Sequence, residues 1–216
     1  MFAVIAVVVV GFIAVNRAME NQRQARAMAI AAAAGLTADL GTDSEPHLPF
    51  DVFSRGHGRT VRYRMCAPGT RDSVFGYEYT TGSGKSQRLH RLTCAHLAVP
   101  FSAPQTAIGP EGFWSGVGRL IGIDDIEVES SRFNDEYRVT GIDERFAVTL
   151  LDPLLIAWMI GDHGGIGRVR LELQGTDALC LVDRLDIEQY PAFLRFAQSL
   201  RSRFPTVLQS LYPASR

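Results

Sequence analysis

Hydrophobic and polar positions recur with different periods along this chain, and the changes of period divide it. The first fifteen residues, MFAVIAVVVVGFIAV, carry no charge. A run of this kind reads as a membrane helix. At about 1.5 Å per residue it covers about 22 Å, against a hydrocarbon core of about 30 Å. Carrying it through Ala18 and Met19, with Arg17 snorkelling, brings it nearer a full span. A cleaved signal peptide should open on positive charge and close on a small-residue cleavage site. Here Arg17, Arg23 and Arg26 follow the apolar run, with Glu20 the one acid among them. That order predicts an uncleaved single-pass anchor, residues 1–19, with the rest of the chain on the cytoplasmic side of the cell membrane. A β-branched run at the start of the chain argues against the third reading, a buried core element.

After the anchor, NRAMENQRQARAMAIAAAAG is rich in helix formers and stops at Gly35, a natural C-terminal cap. It predicts one continuous helix out of the membrane, with residues 20–35 as its juxtamembrane part. TADLGTDSEPHLP is polar and broken by Gly and Pro, and predicts a linker over 36–49. The period then becomes two. TVRYRMC sets Val61, Tyr63 and Met65 against Arg62, Arg64 and Cys66; SVFGYEYT and RLHRLTCAHLAVP alternate in the same way. These predict antiparallel strands, the first two joined by APGTRD. DIEVESSRFNDEYRVTG predicts two more, with Phe133, Tyr137 and Val139 inward. DERFAVTLLDPLLIAWMIGD shifts to a helical period, with Phe146, Leu150, Leu154, Leu155, Trp158 and Met159 on one side and Pro153 in a first turn. GRVRLELQGTDALCLVD predicts strand, turn at Gly175 and strand. IEQYPAFLRFAQSLRSRF closes as an amphipathic helix with Phe193, Phe196, Ala197 and Leu200 inward, ended by Pro205. The fold expected is α+β: an N-terminal transmembrane helix, then a domain over 50–212 with a mainly antiparallel sheet packed against two or three helices.

Two glycine-rich stretches invite a nucleotide reading. In YTTGSGKSQ, a phosphate-binding loop G-x-x-x-x-G-K-[ST] would need glycine at position 79, which is Tyr79, and a helix afterwards. QRLHRLTCAHLAV alternates as a strand instead, so Gly82 and Gly84 supply a hairpin turn and Lys85, the one lysine of the chain, is a turn residue. In GPEGFWSGVGRLIG the glycines do not fit the dinucleotide fingerprint. That stretch predicts a mobile loop carrying exposed Phe113 and Trp114, candidates for contact with a partner or a membrane.

Charge adds one asymmetry. The formal net charge of −1 gives no global sign of a nucleic-acid partner. Residues 51–100 nevertheless hold eight Arg/Lys against three Asp/Glu, and residues 101–150 hold four Arg against nine Asp/Glu. Two readings stay open. The halves pair across a sheet, Arg62 and Arg64 with Asp124, Asp125, Glu127 and Glu129; or Arg62 and Arg64, on the same side of one strand, face an anionic membrane surface. Cys66, Cys94 and Cys180 form no CxxC, are odd in number and suit a reducing compartment.

The blocks PFDVFSRGHGRTVR, FGYEYTTGSGKSQRLHRLT and DIEVESSRFNDEYRVTGIDERFAVTLLDP, following an Ala/Arg-rich helix, occur in an order that resembles an uncharacterised family of single-pass membrane proteins of high-GC Gram-positive (actinobacterial) bacteria. The resemblance covers most of residues 20–212 and implies a membrane-anchored α+β domain. It implies no catalytic residue, substrate or cofactor.

Candidate chemistry is sparse. His90, Cys94 and His96 share one strand face, but residues i and i+2 on a strand stand roughly 7 Å apart, and one metal wants ligands from more than one element. Asp162 and His163 in GDHGG make a conceivable acid–base pair, though a helix stop explains the glycines. Asp124, Asp125, Glu127 and Glu129 lack calcium-loop spacing. No catalytic residue, cofactor or metal is assigned. The function expected is a membrane-anchored, non-catalytic binding or scaffold module that meets lipid through its N-terminal helix and an unknown protein partner. The alternative is a small membrane-tethered hydrolase or metal-dependent enzyme built around His163 or His90 and His96.

Overall fold

The computed structural model describes residues 2–41, 46–110, 124–162, 166 and 168–214, with the side chains of these apart from 2–14, 16, 124 and 125. Helix α1, Phe2–Ala33, runs for 32 residues without a break. It ends as its sequence predicts: Gly35 takes φ +70°, its N–H donates to the Ala32 carbonyl at 3.1 Å and the Leu36 N–H to the Ala31 carbonyl at 2.8 Å. This paired closure is the Schellman arrangement, which glycine accommodates without a Cβ clash. Ala27 and Ala31, one turn apart, are fully buried against the sheet. Among the described residues, no helix is long and apolar enough to cross a membrane.

Among the described residues the sheet has seven strands, all paired antiparallel, in the order β1-β2-β3-β4-β6-β5, with β7 also pairing β4. Strand β1, Thr37–Asp39, forms inside the stretch expected to be a linker and lies on the edge beside β2, His57–Cys66. Strand β3, Ser73–Thr81, follows. The hairpin at Gly82–Ser86 places Gly82 and Gly84 at positive φ and leads into β4, a strand and not a helix. YTTGSGKSQ is therefore a turn.

Strand β4, Arg88–Gly109, is longer than its alternation predicts because it continues through Pro100 and Pro104. Its register against β7 shifts between Ala98 and Ala103 and again before Thr106, so both prolines sit where the ladder is already interrupted. β7, Arg170–Asp183, is one 14-residue strand. Gly175, expected to turn the chain, instead takes φ +59° beside one of these shifts, opposite Ala103. A bulge absorbs the positive φ that a turn would have used.

The acidic stretch differs most from its pattern. Only Asp124–Asp125 (β5) and Arg138–Gly141 (β6) are strand, with helix α2, Ser131–Glu136, between them. Ser130 Oγ accepts from the Phe133 N–H at 3.3 Å, and the Asn134 amide clips Val128 from both sides. These local polar bonds favour a cap and turn over a ladder. α3, Glu144–Leu150, and α4, Pro153–Met159, are capped by Asp143 and Asp152 at 2.9 and 2.7 Å. α5, Tyr190–Arg201, and the short α6, Val207–Leu211, bring the helices after α1 to five among the described residues, more than the two or three expected beside the N-terminal helix.

The helices cover one face of the sheet, where Phe101, Phe133, Phe146, Leu155 and Phe193 are buried. Phe133 stacks on Tyr137, Phe146 meets Phe101 and Tyr212, and Trp158 lies 4.9 Å from Phe196. Leu154, expected inward, is 76% exposed, since the turn at Leu151–Asp152 restarts the helical phase. A second cluster, Phe50, Phe53, Phe75, Tyr77 and Leu179 among its members, fills the other face. Asp72, 1% exposed, ties α5 to the sheet by accepting from Arg201 Nη1 at 2.7 Å and Gln198 Nε2 at 3.0 Å.

Candidate functional site

A hollow of about 590 Å³ opens where the polar part of α1 crosses the sheet. Its walls come from four places: Arg23 and Arg26 of α1, Arg62 and Tyr63 of β2, Glu78 and Arg91 of β3 and β4, and the Arg184–Glu188 connection leading into α5. Each wall has a local cause.

On β2 the cause is a bulge. Arg62 pairs with Gly76 but Met65 with Val74, so one extra residue is inserted between them. Tyr63 occupies it at φ +52°, the one non-glycine positive φ among the described residues. An aromatic side chain there carries strain of roughly 1–3 kcal/mol, and such strain concentrates at ligand clamps and switch regions. The bulge turns Tyr63 toward α1, with its hydroxyl 3.5 Å from Glu20 Oε1. Burial, and then the charge of Glu20, push the Tyr63 phenol above its ordinary range.

The bulge also separates the two arginines expected to share a side. Arg62 Nε bonds Glu78 Oε2 at 3.1 Å in the hollow, whereas the Arg64 guanidinium lies 5.1 Å from the centre of the Phe75 ring. Glu78 and Phe75 project from opposite faces of β3, which is in unbroken register with β4. Arg62 and Arg64 therefore lie on opposite faces; the same slip puts Val61 in the aromatic cluster and Met65 under the helices.

The floor is set by Gly76. A Cβ there would stand 2.6 Å from the Tyr190 hydroxyl, so only glycine lets the start of α5 seat so deeply on β3. Burial pushes the Tyr190 phenol up to about 12, which keeps it neutral. Around this floor, Glu78 serves two arginines at once, Arg62 through Oε2 and Arg91 Nε through Oε1 at 3.2 Å. Arg26 pairs with Glu188, and Arg23 lies 4.0 Å from Glu20. Asp186 caps the short turn Ile187–Gln189. Arg184 is exposed and makes no ion pair among the described residues. The arrangement is suited to gripping an anion by guanidinium forks.

The other candidate residues are dispersed. His90 stacks on Tyr79 at 4.6 Å and its Nε2 meets Thr81 Oγ1 at 2.8 Å. Burial, then the charges of Arg88 and Arg55, push its imidazole down. His96 is held in the sheet by Arg71 O at 3.1 Å and Asp177 Oδ1 at 2.7 Å. Cys94 and Cys180 are fully buried, and burial drives both thiols up, Cys180 to about 12. All three cysteines are free. Among the described residues no group of three His, Cys, Asp or Glu is placed to hold a metal. Phe113, Trp114 and His163 lie outside the described residues, as do the side chains of Asp124 and Asp125. Glu127 and Glu129 are exposed. Arg55, Arg62, Arg71 and Arg91 pair with Asp51, Glu78 and Asp177, none of them in the acidic stretch 101–150.

Arg91 and Arg184 went unmarked in the sequence as site residues, and Arg23 and Arg26 counted only for topology. Arg184 stands in VDRLD, where flanking acids read as a solvated surface.

No protein-family model matches the chain, and no curated protein matches it in sequence. Among solved structures, the fold is similar to the crystal structure of the mycobacterial trehalose monomycolate transport factor A, TtfA, with a TM-score of 0.60 at 12% identity, over 89% of this chain and 97% of that one. A mycobacterial neighbour is consistent with the actinobacterial family that the sequence resembles. At that identity the likeness establishes a shared α+β fold.

Proposed function

We propose that this chain is a membrane-anchored accessory module that binds rather than catalyses, held to the cell membrane by its apolar N-terminal segment with the sheet domain on the cytoplasmic side. The observation that carries this reading is the arginine-lined groove built against α1, the same helix that begins in that segment. Guanidinium groups and buried neutral phenols recognise and orient; they are poor proton donors and acceptors at neutral pH. The fold neighbour, a transport factor, supports an accessory part in a transport process. In the rival reading, a small hydrolase or metal-dependent enzyme is built around His163 or around His90 and His96; the latter two would have to converge, and each is instead engaged by its own partners.

The test is alkaline carbonate extraction of membranes carrying the full chain or a chain lacking residues 2–15. The full chain is expected in the pellet and the shortened chain in the supernatant. A full chain released by carbonate contradicts the anchor.

A further inference from the structure

We infer that the groove between α1, the β2 bulge and the Arg184–Glu188 connection is a receptor for the phosphate of an anionic lipid headgroup. The inference rests on the anchored reading above for where the ligand comes from. Its chemistry rests on the groove alone.

The first ground is the count of guanidinium N–H groups that face one hollow without a protein acceptor. Arg62 and Arg91 each use Nε on Glu78. A guanidinium carries five N–H donors, so each keeps the four on its terminal nitrogens. Arg184 keeps all five among the described residues. Arg26 and Arg23 stand on the opposite wall, their charges partly answered by Glu188 and Glu20. In all, five arginines face Glu20, Glu78, Asp186 and Glu188, a residual charge of one. The selectivity therefore comes from converging donors more than from net charge. A carboxylate satisfies one fork. A phosphate, with three or more oxygens in tetrahedral array, can accept from forks on several walls at once.

The second ground is preorganisation. Glu78 holds the two forks of Arg62 and Arg91 beside one another, and the strained Tyr63 places Arg62 and its own ring on the same side of β2. Without the bulge, residues 62 and 63 would point to opposite faces. Strain that would otherwise be relieved by glycine is retained at the lip of the hollow.

The third ground is position. Arg23 and Arg26 follow Val15 by eight and eleven residues on one helix, which at about 1.5 Å per residue is about 12 and 17 Å. If the apolar segment ends near the edge of the hydrocarbon core, the groove stands at or just beyond a headgroup layer about 5–8 Å deep. Lipid phosphates are the most concentrated phosphates there, and a tethered groove meets them at high effective concentration.

The experiment uses the full chain in uncharged maltoside micelles, titrated calorimetrically with dihexanoyl phosphatidic acid, dihexanoyl phosphatidylcholine and inorganic phosphate. Phosphatidic acid is expected to bind, more weakly as salt rises, and phosphatidylcholine and inorganic phosphate to bind at least about tenfold more weakly. Arg184→Gln should weaken phosphatidic acid binding about tenfold, the loss of one charge-assisted contact, with an unchanged melting temperature. Lys85→Ala, in the exposed hairpin, should leave it unchanged. No binding of phosphatidic acid, or binding indifferent to Arg184→Gln, overturns the site. Inorganic phosphate binding as tightly as the lipid overturns the lipid source in favour of a soluble phosphate. Because micelles need no bilayer insertion, lost binding with a carbonate-resistant chain refutes this site alone. Retained binding with a released chain refutes the anchor alone.

Discussion

The two faces of β2, β3 and β4 carry opposite chemistry. On one, Val61, Phe75, Tyr77, Tyr79 and Cys94 close over Phe50 and Phe53, with Phe75 and Tyr77 fully buried. On the other, at the α1 crossing, Arg62, Gly76, Glu78 and Arg91 leave a hollow. The same alternation produces both, since Phe75, Tyr77 and Tyr79 interleave with Gly76 and Glu78. One face buys stability with dry aromatic packing, and the other holds charge apart from it. Binding chemistry can then vary without unfolding the sheet that supports it.

That division can be broken most forcefully at Phe75. Phe75→Ala should cost about 3–5 kcal/mol, a large share of the roughly 5–15 kcal/mol that holds a domain together. Denaturant unfolding of the variant checks this, and a loss below about 1 kcal/mol would remove the aromatic face from its structural role. Gly76→Ala comes next, at about 1–3 kcal/mol, because the new methyl group meets the Tyr190 hydroxyl. Tyr190→Phe in the same chain should recover part of the loss, a coupling readable in a double-mutant cycle. Arg62→Gln with Arg91→Gln should cost less than about 1 kcal/mol, since both pairs with Glu78 are solvent-accessible. A cost as large as that of Phe75→Ala would show that the groove is a structural element.

The smallest effect is at His90. Its imidazole should titrate by NMR below the ordinary value of about 6.5. A depressed histidine stays neutral in the folded chain while the unfolded chain takes up a proton. Its contribution to stability is therefore present above about pH 6.5 and is lost as pH falls through the folded value. His90→Gln should flatten that part of the acid limb. A midpoint at or above 6.5 would contradict the assigned environment.

Much of the frame was legible because alternation is strict: β2, β3, the start of β4, the hairpin and the buried face of α5 follow from period alone. Pattern reading fails where a local exception is absorbed by the ladder. Pro100, Pro104 and Gly175 look like breaks, yet they fall at or beside register shifts within long strands. Ser130 and Asn134 build a capped helix where a strand was expected, through side-chain bonds that alternation does not reveal. The groove was legible least of all. TVRYRMC alternates without a flaw, so nothing marks Tyr63 as a bulge or separates Arg62 from Arg64. Its arginines lie between positions 23 and 184 and share no motif; only the crossing of α1 over the sheet brings them together.

The central claim, that α1 holds the domain on a membrane with the groove toward its surface, is tested most directly by paramagnetic broadening. The full chain would be placed in nanodiscs of anionic lipid doped with a headgroup nitroxide, and backbone amide signals compared across the sheet. Amides of Tyr63, Leu92 and Leu185 at the groove should broaden strongly, while those of Val52 and Phe53 on the opposite face stay sharp. Equal broadening of the two sets, or the reverse order, would contradict it.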